Sequence, residues 1–240
     1  MSAEPQVLDR DDLLAAYALP EDEARRVRMN FVSSLDGAAT VEGRSGGLGD
    51  ANDRLAMQVL RTLADLVLVG AGTVRAEGYA GLAVGEADVA WRVARGLPEQ
   101  PRFAVISSSL ELDPESALFT EAVTRPIVVT HAAAPTARRA ALEQVADVLV
   151  VGERAVDVSG MLDVFAERGL RRVLCEGGPH LFGSLLEADL VDELCLSLSP
   201  MLVAGSAGRI VRGVPELQRR MRLVHAIPAG DLLLLRYLRD

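Results

Sequence analysis

No lysine occurs in this chain of 240 residues; all 25 of its basic side chains are arginine. Schiff-base chemistry, lysine general bases and lysine phosphate clamps are therefore excluded. So is the P-loop, whose lysine reaches the phosphates. A phosphate bound here has to be held by arginine, backbone N–H groups or hydroxyls. Cysteine is nearly absent too. Cys175 and Cys195 sit in apolar runs and read as small core residues in a reducing compartment. Three histidines, His131, His180 and His225, show no metal spacing, so no metal site is expected. No apolar run approaches the roughly 20 residues of a membrane span. The N-terminus lacks a basic stretch followed by an apolar one, which speaks against a secretory signal and for a cytoplasmic protein. A net charge of −9 disfavours a nucleic-acid partner.

What is present is apolar and alternating. Half the residues are hydrophobic, enough for a substantial core. Strands are expected over Val27–Val32, Leu66–Val69, Arg102–Ile106, Pro126–Val129, Asp147–Val151, Arg171–Cys175 and Asp192–Ser199. Helices are expected over Asp11–Ala18, Asp50–Leu63, Pro135–Gln144, Ser159–Arg168 (capped by Ser159) and Gly178–Glu187, with a turn or two within Ala83–Gly96. The tail Met221–Leu238 reads as a hairpin of two long strands. This is an α/β chain with a three-layer α/β/α architecture and a mixed, mostly parallel sheet. No convincing linker appears, so residues 1–240 form one domain, with 1–26 as an N-terminal extension.

Three segments carry chemistry. In RRVLCEGGPHLFGSLL a strand ends in Glu176, then Gly177 and Gly178 allow a close approach of backbone, and Pro179 suits a first helical turn. Strand, Gly-Gly and helix start is a geometry that binds phosphates; the bland alternative is an ordinary strand-to-helix turn. DLVLVGAGTVRAEGYAG repeats the logic. Its strand runs without alternation, as when both faces are covered, into Gly70, Ala71, Gly72 and Thr73. Thr73 can cap a helix or give its hydroxyl to a ligand. Arg75 stands where the dinucleotide fingerprint would place its third glycine, which disfavours a standard Rossmann domain. The third segment, Asn30–Arg54, is a strand running into Ser33, Ser34, Leu35, Asp36 and Gly37 and then a glycine-rich loop. Either a bound ligand orders that loop or Asp36-Gly37 simply makes a turn.

SSLDG (33–37), VLVGAGTVRAE (67–77) and LCEGGPHLFGSLLEADLVDEL (174–194), in this order and spacing, resemble the riboflavin-biosynthesis reductases. These comprise the C-terminal reductase domain of the bifunctional deaminase–reductase and its stand-alone relatives. AEGYAG (76–81) is similar to a stand-alone actinobacterial, pyrimidine reductase-like subgroup. The resemblance spans roughly residues 26–238. It implies the dihydrofolate reductase-like fold, NADPH as cofactor, a homodimer, and a phosphoribosylamino-pyrimidinone substrate whose ribose is reduced to a ribityl chain. The deaminase half, with its zinc site, has no counterpart.

Carried over by position, the resemblance implies cofactor contacts at Val32, Thr73, Glu77, Ser107 or Ser108, and Gly177, Gly178, Pro179, His180, Leu181, Phe182 and Ser184. It implies substrate contacts at Ser34, Asp36, Ser45, Arg61 and Glu176. Asp36 and Glu176 are the candidates for assisting protonation, directly or through water, while the cofactor carries the hydride. Two departures fall on the substrate side. Ala38 stands where the family usually has Lys or Arg, and Glu77-Gly78-Tyr79 where it has Asp-Asp-Pro or Asp-Asn-Pro. Dihydrofolate or pterin reduction is therefore an alternative, and a non-catalytic nucleotide-binding protein a lesser one.

Overall fold

A computed structural model describes residues 8–20, 22 and 24–240. Residues 1–7 of the segment read as an extension lie outside the described residues. Among the described residues, seventeen elements follow one another: α1 (Arg10–Ala16), β1 (Arg26–Ser34), α2 (Ala51–Leu63), β2 (Leu66–Gly70), α3 (Ala71–Glu77), α4 (Glu86–Val93), β3 (Arg102–Ile106), α5 (Ala117–Thr120), β4 (Ile127–Thr130), α6 (Thr136–Leu142), β5 (Asp147–Val150), α7 (Val158–Glu167), β6 (Arg172–Cys175), α8 (Pro179–Glu187), β7 (Glu193–Ser199), β8 (Met221–Ala229) and β9 (Leu232–Arg239). The strands form one nine-stranded sheet in the order β5-β4-β3-β2-β6-β1-β7-β9-β8. Strands β1 to β7 run parallel to one another; β9 pairs antiparallel with both β7 and β8.

The layers follow from side-chain alternation. In β2 every residue from Leu66 to Val69 is fully buried, yet they go opposite ways. Val67 and Val69 join a core with α1, α2, α3 and α6, through Leu13, Leu60, Val74 and Leu142. Leu66 and Leu68 join a second core with α7 and α8, through Met161, Phe165 and Leu185. A strand of period two with no polar position has to be covered on both faces. Each such Leu or Val contributes about 1.5–3 kcal/mol on burial.

Two local readings change. Helix α7 is capped by Asp157, whose carboxylate accepts from the Ser159 and Gly160 N–H groups at 3.0 and 3.2 Å, and not by Ser159. Thr73 caps nothing: α3 starts at Ala71 behind Gly70, and Thr73 lies inside its first turn. The described part of the N-terminal segment packs into the body through α1. Leu13, Leu14 and Tyr17 are core residues. Two buried arginines also clasp the end of α1: Arg236 donates to the Ala16 and Ala18 carbonyls at 2.6 and 3.2 Å, and Arg28 to the Tyr17 carbonyl at 2.8 Å. Between them Glu193 pairs with Arg28 at 2.7 Å and with Arg236 at 2.9 Å. One carboxylate cannot neutralise two guanidiniums, and the unpaired carbonyls of the helix end supply the remaining acceptors.

Arg92 solves a similar problem without an acid. It is fully buried and donates to the Thr62 and Ala64 carbonyls at the end of α2 and to the Pro98 carbonyl. Burial lowers its pKa from the usual arginine value.

Candidate active site

Two strand-to-helix loops meet at the carboxyl edge of the sheet because β2 and β6 are neighbours. The Gly70 N–H donates to the Gly177 carbonyl at 2.7 Å, and the Glu176 N–H to the Leu68 carbonyl at 3.0 Å. Gly178 caps α8 with Pro179 in its first turn, and no side chain caps that helix. Its early N–H groups, at His180 and Leu181, lack a side-chain acceptor, and both residues line the adjoining cleft. That is an anion-binding arrangement. The reason for glycine at 178 is partly internal: a Cβ there would stand 2.6 Å from the Thr73 hydroxyl oxygen. At Gly177, φ is +103° and a Cβ would press on the Phe31 ring at 3.2 Å. The glycines let α3 and α8 start side by side, before any ligand arrives.

The cleft between these loops, β1 and α2 encloses about 370 Å³. Its lining includes Asn30, Val32, Thr40, Ser45, Asp53, Met57, Thr73, Glu77, Tyr79, Glu176 and His180. Glu176 is held rigidly: Arg61 grips both carboxylate oxygens, Nε to Oε1 and Nη2 to Oε2, each at 2.6 Å, and the Tyr79 hydroxyl donates to Oε2 at 2.8 Å. The Glu176 side chain is 3% exposed and that of Arg61 17%. Burial opposes the charge of Arg61, but attraction to Glu176 outweighs it and raises the arginine pKa. Burial, reinforced by Glu176, drives the Tyr79 pKa far above the ordinary phenol value. The Tyr79 ring stacks on Phe103 with centroids 5.9 Å apart. Glu77 is tied by one oxygen, which accepts both the N–H and the hydroxyl of Ser45 at 2.8 and 2.9 Å.

Asp53 is the residue sequence reading missed. It sits in the first turn of α2, where an acid is usual beside a helix start and signals nothing further. In the fold that turn faces the cleft. Burial raises the Asp53 pKa, against a hydrogen bond to Ser197 that lowers it. Gly49 leaves it no slack, since a Cβ there would come within 2.2 Å of a carboxylate oxygen. The cleft therefore holds a carboxyl that keeps its proton to higher pH than an exposed aspartate would.

Of the residues marked in the sequence, Val32, Ser45, Thr73, Glu77, Glu176, Gly178, Pro179, His180 and Leu181 line this cleft. Others lie around it. Gly177 and Phe182 back the loop, with the Phe182 and Phe31 rings 5.1 Å apart. The Ser184 hydroxyl turns back to the His180 carbonyl. Ser107 is buried at the end of β3, where its oxygen accepts from the Leu110 N–H; Ser108 follows it, exposed. Arg61 acts on the cleft through Glu176. Asp36 and Ser34 are outside the lining. Asp36 accepts from the Ser34 hydroxyl at 2.5 Å and from the Ala204 and Val203 N–H groups at 2.7 and 3.2 Å. Those bonds, Ser34 foremost, pull its pKa down to about 2. In this arrangement Asp36 braces the turn after β1 against the 201–204 segment.

A mostly parallel sheet that brings two glycine loops, an uncapped helix start and a buried carboxyl to one cleft belongs to an α/β reductase of the dihydrofolate reductase-like fold. Dihydrofolate reductase from Enterococcus faecalis shares that fold, with a TM-score of 0.52 at 14% identity over 90% of this chain and 96% of the other. The chain belongs to the RibD C-terminal domain family, which it matches over residues 25–235. It is 30% identical over 180 residues, 75% of this chain and 82% of the other, to the 2,5-diamino-6-ribosylamino-4(3H)-pyrimidinone 5′-phosphate reductase of Archaeoglobus fulgidus. A pyrimidine reductase-like protein from Corynebacterium diphtheriae superposes with a TM-score of 0.86 at 27% identity, over 95% of this chain and 98% of the other. Among the described residues no helix is long and apolar enough to cross a membrane, and no three His, Cys, Asp or Glu side chains gather as a metal site.

Proposed function

We propose that this protein is an NADPH-dependent reductase of a ribosylamino-pyrimidinone. The observation that carries the reading is one cleft that joins the uncapped start of α8 to a carboxyl with a raised pKa. The residues fit a dinucleotide. The α8 N–H groups and the Thr73 hydroxyl suit a pyrophosphate, and Val32 and Phe31 offer an apolar wall beside it. When bound, the nicotinamide supplies a hydride.

The chain's own residues do the rest. Glu176, fixed by Arg61 and Tyr79, presents an acceptor to ring N–H donors. Asp53, whose burial favours the protonated form, would be the group to supply the proton that the imine nitrogen needs once C1′ is reduced. The test is loss of NADPH absorbance with the ribosylamino-pyrimidinone phosphate and its dephosphorylated form, each beside dihydrofolate. Binding of NADPH without reduction of any of them would refute the reading. Reduction of dihydrofolate alone would favour the second reading, a pterin reductase. The same carboxyl supports that one, because pterin and aminopyrimidine edges offer it similar N–H donors.

We further propose a homodimer built on the C-terminal strands. In β9, Leu232 and Leu234 are buried while Leu233 is 36% exposed; on the edge strand β8, Leu223 and Val224 are 49% and 40% exposed. An open apolar edge of this kind suits a second copy.

A further inference from the structure

The chain between β1 and α2 covers the cleft with little to hold it there. Ala39, Thr40, Gly43 and Ser45 line that cleft. The segment is fixed at both ends. Upstream, the Ala39 N–H donates to the Gly208 carbonyl at 2.9 Å; downstream, Leu48 is buried and the Asp50 carboxylate caps α2. In between, Val41 and Arg44 exchange two backbone hydrogen bonds around Glu42 and Gly43, which are left-handed at φ +51° and +82°. That turn satisfies its own polar groups and asks nothing of the body. Glu42, Gly43 and Arg44 are exposed, and a Cβ at Gly43 or Gly46 would meet nothing within 4 Å. Among the described residues, 40–47 hydrogen-bond to other elements of the fold at one point only. There the Ser45 N–H and hydroxyl both donate to Glu77 Oε1, at 2.8 and 2.9 Å.

Glu77 is poorly placed for its own helix. It ends α3, where Gly78 turns left-handed at φ +70°, so its charge faces the negative end of the helix dipole. A carboxylate that works against its helix, and gives one oxygen to two donors from a distant loop, is explained by that loop. We propose that Glu77 is a positioning residue that latches residues 40–47 as a lid over the cleft. With the latch made, Ser45 is held at the cleft wall. Gly49 keeps the far end of the loop against Asp53, where a Cβ would stand 2.2 Å from a carboxylate oxygen. Closure therefore keeps water from the acid and the reacting atoms beside it. Opening breaks two hydrogen bonds and frees the self-contained turn to swing between its anchors at Ala39 and Leu48, and ligands exchange in that state. The lid's effect on turnover rests on the reductase reading; the latch itself is a property of the free protein.

Trypsin reads the lid directly. Arg44 stands at its exposed tip, and cleavage there tracks the population in which the loop has left the body. Cleavage of the full chain after Arg44 is followed by mass spectrometry, with cleavage after the exposed Arg209 and Arg212 as the reference. Glu77→Ala loses both bonds and should speed cleavage after Arg44 about tenfold or more relative to the reference sites. Glu77→Gln keeps an Oε1 acceptor and should stay within about threefold of the parent. In steady-state NADPH oxidation with the ribosylamino-pyrimidinone phosphate, Glu77→Ala should lose about tenfold in kcat/KM and Glu77→Gln should recover most of it. Unchanged cleavage after Arg44 in folded Glu77→Ala protein overturns the latch. A Glu77→Gln protein cut as fast as Glu77→Ala overturns it too, since the bonds to Ser45 would then not hold the loop. Should Glu77→Ala not fold, Ser45→Ala removes the hydroxyl bond alone and should speed cleavage about two- to fivefold; no change there refutes the proposal. Faster cleavage in a protein that reduces neither the pyrimidinone nor dihydrofolate supports the latch and removes the reductase reading. Full turnover with unchanged cleavage removes the latch and keeps that reading.

Discussion

Replacing Arg61 by leucine would leave the Glu176 carboxylate, 3% exposed, with the Tyr79 hydroxyl as its one side-chain donor. An exposed pair forgives such a change because water takes the partner's place. Here it cannot, and removing one member of a buried pair costs about 3–5 kcal/mol. For a chain of this size that is a fall in melting temperature of roughly 6–20 °C, read by scanning calorimetry. The surface pair Arg138–Glu111, at 3.3 Å with side chains 49% and 56% exposed, is the internal control. Glu111→Gln should cost less than about 1 kcal/mol. Adding Glu176→Leu to Arg61→Leu should recover most of the lost stability, since two well-packed apolar side chains replace a buried pair at little net cost. Turnover should stay lost, because the fixed acceptor is gone. An Arg61→Leu protein as stable as Glu111→Gln, or a double variant no better than the single, would refute the claim that the pair is buried and mutually dependent.

Asp53→Asn should abolish turnover and keep NADPH binding. Because the Asp53 pKa is raised on folding, its contribution to stability is present at acid pH and lost as pH rises through the folded value. The variant should therefore compare better with the parent at pH 7 than at pH 4 in denaturant titrations, and the opposite trend would contradict the burial of this carboxyl. Gly178→Ala should weaken NADPH binding at least tenfold, measured by calorimetry, because its Cβ would stand 2.6 Å from Thr73 Oγ1. Adding Thr73→Ala should relieve the folding strain seen in thermal melts; unchanged affinity in the single variant would remove α8 from the cofactor site. Leu223→Arg, on the exposed edge strand, should convert a dimer into a monomer near 25.6 kDa in light scattering. A parent protein already at that mass would end the dimer proposal.

Much of the fold was legible because its signals are local. The unalternating run Leu66–Val69 announced a strand covered on both faces. Glu176-Gly177-Gly178-Pro179 announced a strand end, a turn and a helix start, and the structure has all three. Errors arose where two neighbouring residues could do one job. Asp157 and Ser159 are both good caps, and the backbone chose the aspartate by placing it at the extended position before α7. The way α1 is fastened could not be read from the sequence, because one of the two arginines that hold its end, Arg236, lies about 220 residues further along the chain.

The sequence by itself determined the layered sheet, the two glycine loops and, through the absence of lysine, the kinds of group that could meet a phosphate. Those depend on side-chain period, Cβ sterics and composition, which act over a few residues. Only the tertiary structure decided what the cleft contains. It turned Asp53 inward, made Asp36 a brace, and spent Arg61 on Glu176 under the Tyr79 hydroxyl. Whether a charge faces a ligand, a partner or water depends on which distant elements the sheet order makes neighbours, and that order is settled by burying both faces of the whole sheet at once.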